Sequence, residues 1–103
     1  MGLSSQYSPR RASVDISTAT TTAVVAAVAG KRIVVTNLVL SFASGQTGVW
    51  KSGSTVLSGP FAESYSTGDN ELGILETAIG EALNLTTSAA VAVAGHLTYV
   101  LLP

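Results

Sequence analysis

The stretch Arg32-Ile33-Val34-Val35-Thr36-Asn37-Leu38-Val39-Leu40-Ser41-Phe42 decides the fold. Ile33, Val35 and Val39 are β-branched and favour extended backbone, and Leu38, Leu40 and Phe42 add apolar bulk. Strand side chains alternate, so Ile33, Val35, Asn37, Val39 and Ser41 share one face and Val34, Thr36, Leu38, Leu40 and Phe42 the other. Both faces are largely apolar. Such a strand is covered on both sides, by a second sheet and by something else, for which a neighbouring subunit is one candidate.

Working outward, Gly30-Lys31 reads as a turn. Before it, Val14-Asp15-Ile16-Ser17 alternates as a half-buried strand does. Ala23 to Ala29 has helical propensity, but the flanking Thr20, Thr21 and Thr22, the valines and the lack of a capping signal make it a strand. After Phe42, Ala43 to Gly48 turns the chain, and Val49-Trp50-Lys51 and Thr55-Val56-Leu57 form a hairpin about Ser52-Gly53-Ser54. Ser58 to Asn70 is the longest loop. Leu72-Gly73-Ile74-Leu75 and Ala82 to Thr86 read as strands joined through Thr77 to Gly80. Thr87-Ser88 turns into a strand over Ala90 to Ala94, Gly95 breaks or bends it, and His96 to Leu102 closes the domain. The reading gives about eight strands with turn signals at sandwich spacing, an all-β, single antiparallel, jelly-roll-like β-sandwich. The domain spans residues 12–103, and residues 1–11, without hydrophobic period, form an extended N-terminal arm.

The chain has 103 residues, 47% hydrophobic and 11% charged. A typical soluble domain carries about 25% charge, so part of this surface is expected to lie against other protein. No apolar run approaches the ~20 residues of a membrane span, and the N-terminus lacks the apolar core of a signal peptide, so synthesis in the cytoplasm is expected. There is no cysteine. The net charge of −1 gives no strong field for nucleic acid. Arg10 and Arg11 are the only charges of the arm, which gives a basic arm on a mildly acidic body, suited to an acidic protein surface.

The inventory for chemistry is short. The single histidine, His96, has no cysteine or second histidine beside it, below the count zinc needs. Gly68-Asp69-Asn70-Glu71 lacks the alternating acids of a calcium loop. No glycine-rich phosphate loop and no nucleophile elbow appear. The expectation is a protein that is not an enzyme, holds no cofactor and engages neither nucleic acid nor membrane. Its candidate contacts are Tyr7, Arg10 and Arg11 on the arm and the aromatic anchors Trp50, Phe61 and Tyr65. Tyr99, within the last strand, is assigned to the core.

Three segments carry a resemblance. They are Val25-Ala26-Ala27-Val28-Ala29-Gly30-Lys31-Arg32-Ile33-Val34-Val35, Glu76-Thr77-Ala78-Ile79-Gly80-Glu81-Ala82-Leu83-Asn84-Leu85 and Val93-Ala94-Gly95-His96-Leu97-Thr98-Tyr99. In this order they resemble small virion proteins of tailed bacteriophages, over residues 16–103. The resemblance implies a β-sandwich or jelly roll on the phage particle, most like a capsid decoration (cement) protein. It implies the major capsid protein as partner, self-association as a homotrimer, and a place on the virion surface. The alternative is a fibre-tip or carbohydrate-recognising module using the loop from Ser58 to Asn70, with Phe61 and Tyr65 as its aromatic residues.

Overall fold

A computed structural model describes residues 8–60, 65–66 and 73–103 of the chain, without the side chains of 65–66. Its strands are β1 (Arg10–Ile16), β2 (Thr21–Val25), β3 (Arg32–Phe42), β4 (Gly48–Ser52), β5 (Thr55–Val56), β6 (Tyr65–Ser66), β7 (Leu75–Glu76), β8 (Leu83–Thr87) and β9 (Val93–Leu102). One sheet runs β1-β9-β3-β6, with β7 also on β3, and the other runs β2-β8-β4-β5. β6 opposes Val39 and Leu40 while β7 opposes Val34 and Val35, so the two short strands share one edge of β3. Each antiparallel sheet therefore has four strand positions, making the eight of a jelly roll.

The topology is a rolled ribbon. β1 pairs with β9, β2 with β8, β3 with β6 and β7, and β4 with β5. These are nested rungs of one long antiparallel hairpin whose tip is the turn at Gly53. Gly53 has φ +55°, which glycine adopts without the Cβ penalty. Rolling the ribbon adds the β3·β9 and β4·β8 ladders and closes the sandwich. The first and last strands thereby become neighbours.

The core lies between the sheets. Val14, Ile16, Val25, Ile33, Val35, Leu38, Leu40, Trp50, Leu83, Leu85, Val93 and Leu97 form one buried cluster, with Ala12, Phe42, Tyr99 and Leu101 packed against it. Each large side chain so buried contributes about 1.5–3 kcal/mol, before entropy is subtracted. Gly48 leaves room for the Phe42 ring, since a Cβ there would come within 3.0 Å of it.

The deciding strand is double-faced for a reason its alternation hides. Its register against β9 shifts between Val35 and Asn37, so Thr36 is an extra residue. This β-bulge reverses the parity of the strand. The core side is Ile33 and Val35 before the bulge and Leu38 and Leu40 after it, so the two faces read from strict alternation are not the ones formed. On the outer side Val34 forms a small second cluster with Val100 and Leu102. Gly73 lies so close that a Cβ on it would overlap Val34 Cγ1. At this end of β3 both faces are buried within the chain itself, and no subunit is needed to cover Val34.

Other boundaries also move. β2 ends at Val25 because its partner β8 begins at Leu83 and leaves Ala26 without a ladder position. Ala26 to Ala29 becomes an exposed connection that turns at Gly30, where Lys31 N donates to Val28 O at 3.1 Å. Among the described residues of that segment, Gly73 takes φ +90° and strand β7 covers Leu75 and Glu76. The strand expected from Ala90 starts at Val93, and Gly95 does not break it. Glycine is required at 95 because β9 passes so close to β3 that a Cβ would overlap the carbonyl oxygen of Val39 and lie 3.0 Å from Leu40 Cα.

Candidate docking surface

β1 begins at Arg10, so both arginines assigned to the arm belong to the sheet, Arg10 opposite Tyr99 and Arg11 opposite Thr98. Ala12, Val14 and Ile16 face the core. Alternation places Arg10 on their side, at the open end of the sandwich, and sends Arg11 to the outer face with Ser13 and Asp15. The two adjacent cations therefore serve opposite surfaces.

Trp50 is not available to a partner. It is 0% exposed, in the main core cluster, because alternation along β4 points it, with Gly48 and Ser52, between the sheets. As a contact residue it is corrected to a core residue. Tyr99 packs against the core as expected. Tyr65 opposes Leu40 in the β6 pairing. Tyr7 and Phe61 lie outside the described residues, as does the Tyr65 side chain.

One end of the sandwich gathers residues from three parts of the chain. The β9 end is flanked by the starts of β1 and β3, with Arg10 opposite Tyr99 and Arg32 opposite Leu102. Ser8, Arg10, Lys31 and Leu101 line a hollow of about 270 Å³ there. Leu101 supplies an apolar wall, and Arg10 and Lys31 supply charge. Among the described residues the one ion pair is Arg32 Nη1 to Glu76 Oε2 at 2.8 Å, so no carboxylate of the described residues pairs with Arg10 or Lys31. Gly80 N donates to Lys31 O at 2.8 Å and seats the Thr77–Gly80 turn against the β2–β3 turn. That brings Ile79, 60% exposed, and Val28, 38% exposed, to the same end. Sequence reasoning missed Lys31 and Leu101, taking one as a turn residue and the other as closing strand. Pairing the first and last strands, as a jelly roll does, puts Leu101 near Arg10, and the β3·β9 ladder then brings Lys31 to the same end.

The opposite end is held by polar groups that composition does not reveal. Gln46 is 1% exposed. Its Nε2 donates to Ala89 O at 2.6 Å and Val91 O at 2.8 Å, and its Oε1 accepts from Ala89 N at 2.9 Å and Ser88 N at 3.0 Å. These bonds hold residues 88–91 as a corner and stop them from joining β9. Thr87 Oγ1 donates to Thr18 O at 2.5 Å and so ties the β1–β2 connection to β8. Back at the hollow end, near the ribbon tip, Ser52 Oγ donates to Glu81 Oε1 at 2.5 Å and accepts from Ala78 N at 2.9 Å. Every buried side-chain nitrogen and oxygen among the described residues has a hydrogen-bond partner.

His96 is exposed on the outer face, opposite Ser13 and Val39. Asp15 shares that face opposite Ala94, and no side-chain hydrogen bond joins Ser13, His96 and Asp15. Among the described residues no group of three or more His, Asp or Glu lies together. Compared with protein-family models, with curated proteins and with solved structures, the chain finds no match in any of the three.

Proposed function

We propose that this chain is a structural virion protein that binds the outer surface of a phage capsid as a homotrimer and stabilises the assembled shell. The observation that carries this reading is the meeting of two of the motifs behind the resemblance: the Gly30-Lys31 turn and the Glu76-to-Leu83 corner are joined by the Gly80–Lys31 hydrogen bond, while the third motif runs along β9. Low charge across the chain and exposed Val28 and Ile79 at that end support a role in packing against protein.

The mechanism is mass action. A partner that binds only the assembled shell stabilises it by RT ln(1 + [L]/Kd), about 2.7 kcal/mol per site at a hundredfold excess over Kd. The test is genome release on heating, followed by dye fluorescence, for particles stripped of the chain and for the same particles after the purified chain is added back. Added chain is expected to raise the release temperature, and light scattering of the free chain is expected to give a trimer. Equal release temperatures with the chain bound to saturation would overturn the stabilising role. No binding to particles, with specific hits on a glycan array, would replace it with receptor recognition.

A further inference from the structure

We propose that the hollow between Ser8, Arg10, Lys31 and Leu101 is a docking site for an acidic segment of a partner protein, taking a Glu or Asp side chain with its carboxylate between the two cations. The argument starts from charge. Arg10 and Lys31 come from different elements and reach one hollow of about 270 Å³, with no carboxylate among the described residues paired to either. Both residues line the hollow, so a carboxylate arriving there can gain charge-assisted hydrogen bonds from either cation. Arg10 offers a planar fork of donors and Lys31 a compact ammonium, a pair suited to one carboxylate.

The surroundings select a protein carboxylate over a free anion. Leu101 offers an apolar wall to the methylene stem of a glutamate. Val28 and Ile79 are exposed on the turns joined through Lys31, giving apolar contacts beside the charged ones. A free phosphate would use the cations alone, whereas a peptide would use both. The site also divides the two arginines of the sequence pair, since Arg10 faces the hollow and Arg11 the outer sheet face. The proposal supplies a partner chemistry for the capsid-binding reading and rests on that reading for its setting, although the hollow itself can be tested without a particle.

The experiment is an amide-shift NMR titration of the full chain at low salt with a tetraglutamate peptide, in parallel with a tetraglutamine peptide and with inorganic phosphate. Tetraglutamate is expected to move the resonances of Arg10, Lys31 and Leu101, and tetraglutamine is not. Arg10→Ser and Lys31→Ser are each expected to weaken tetraglutamate binding about two- to fivefold, as for exposed ion pairs, and Arg11→Ser to leave it unchanged. Added salt should weaken binding, because these charges are screened within about a Debye length. Equal losses from Arg10→Ser and Arg11→Ser, or no shifts at the hollow, would overturn the proposal. Phosphate matching tetraglutamate in affinity would reduce the site to a general anion hollow and overturn the acidic-segment assignment. Particle binding separates the two readings. Tetraglutamate binding with no effect of the chain on particles removes the capsid function and leaves the hollow, whereas full particle binding by Arg10→Ser removes the hollow from the capsid contact.

Discussion

Replacing Gln46 by alanine tests whether one buried side chain holds an end of the sandwich. Its amide contacts Ala89 N, Ala89 O and Val91 O, together with Thr47 N and Ser88 N. Two of these groups keep partners without it, because Ser88 N also reaches Thr47 O and Thr47 N also reaches Ser88 Oγ. Ala89 N, Ala89 O and Val91 O lose their amide partner. At about 1–1.5 kcal/mol for each bond, less what water recovers at the exposed Val91, Gln46→Ala should cost about 2–4 kcal/mol. That is a large part of the roughly 5–15 kcal/mol that stabilises an ordinary domain, and it lowers Tm by about 10–25 °C. Gln46→Glu gives a nearly isosteric control. It keeps the acceptor but sets an oxygen against Ala89 O and Val91 O, where only a protonated carboxyl can donate. Folding then raises the pKa of the new carboxyl above its unfolded value of about 4.3. Stability of this variant relative to the parent should be greatest below that value and fall as pH rises through the folded pKa. Urea unfolding followed by tryptophan fluorescence, at pH 4 and pH 7, measures both variants. A loss below about 1 kcal/mol for Gln46→Ala, or an equal stability difference between Gln46→Glu and the parent at the two pH values, would refute the reasoning.

Two further substitutions separate close approach from simple turn geometry and test the core assignment. Gly95→Ala puts a Cβ onto the Val39 carbonyl in the central β3·β9 ladder and should cost more than about 3 kcal/mol, whereas Gly30→Ala, at φ +74° with open space around it, should cost about 1 kcal/mol by thermal unfolding. Trp50→Ala should lower stability by about 3–5 kcal/mol, and Trp50→Phe by much less, in urea unfolding followed by far-UV circular dichroism; a loss under about 1 kcal/mol for the alanine variant would contradict its core position.

Much of this architecture is legible in the sequence, because strand formation and strand count depend on local chemistry. The β-branched run from Ile33 to Val39, the alternation of Val14 with Ile16, and the Gly53 turn each announce themselves through side-chain shape or backbone freedom. Threonines and valines keep the apolar Ala23-to-Ala29 stretch out of the helices, although it pairs only as far as Val25. The candidate contacts are harder to read. Trp50 is large, apolar and near glycines whether it is an anchor or a core residue, and only the second sheet decides which. Arg10 and Arg11 look equivalent until strand alternation sends them to opposite faces.

The sequence by itself determined an all-β sandwich of low charge, with Arg10 and Arg11 as adjacent cations near its start. Only the tertiary structure decided which residues meet. Rolling the ribbon sets β9 between β1 and β3 and brings Arg10, Lys31 and Leu101, far apart along the chain, to one hollow. The same long-range pairing inserts Thr36 as a bulge and turns Gly95 from an apparent strand breaker into the one residue that fits. The physical reason is that propensity acts over a few residues, whereas register, face and burial are fixed by partners dozens of residues away.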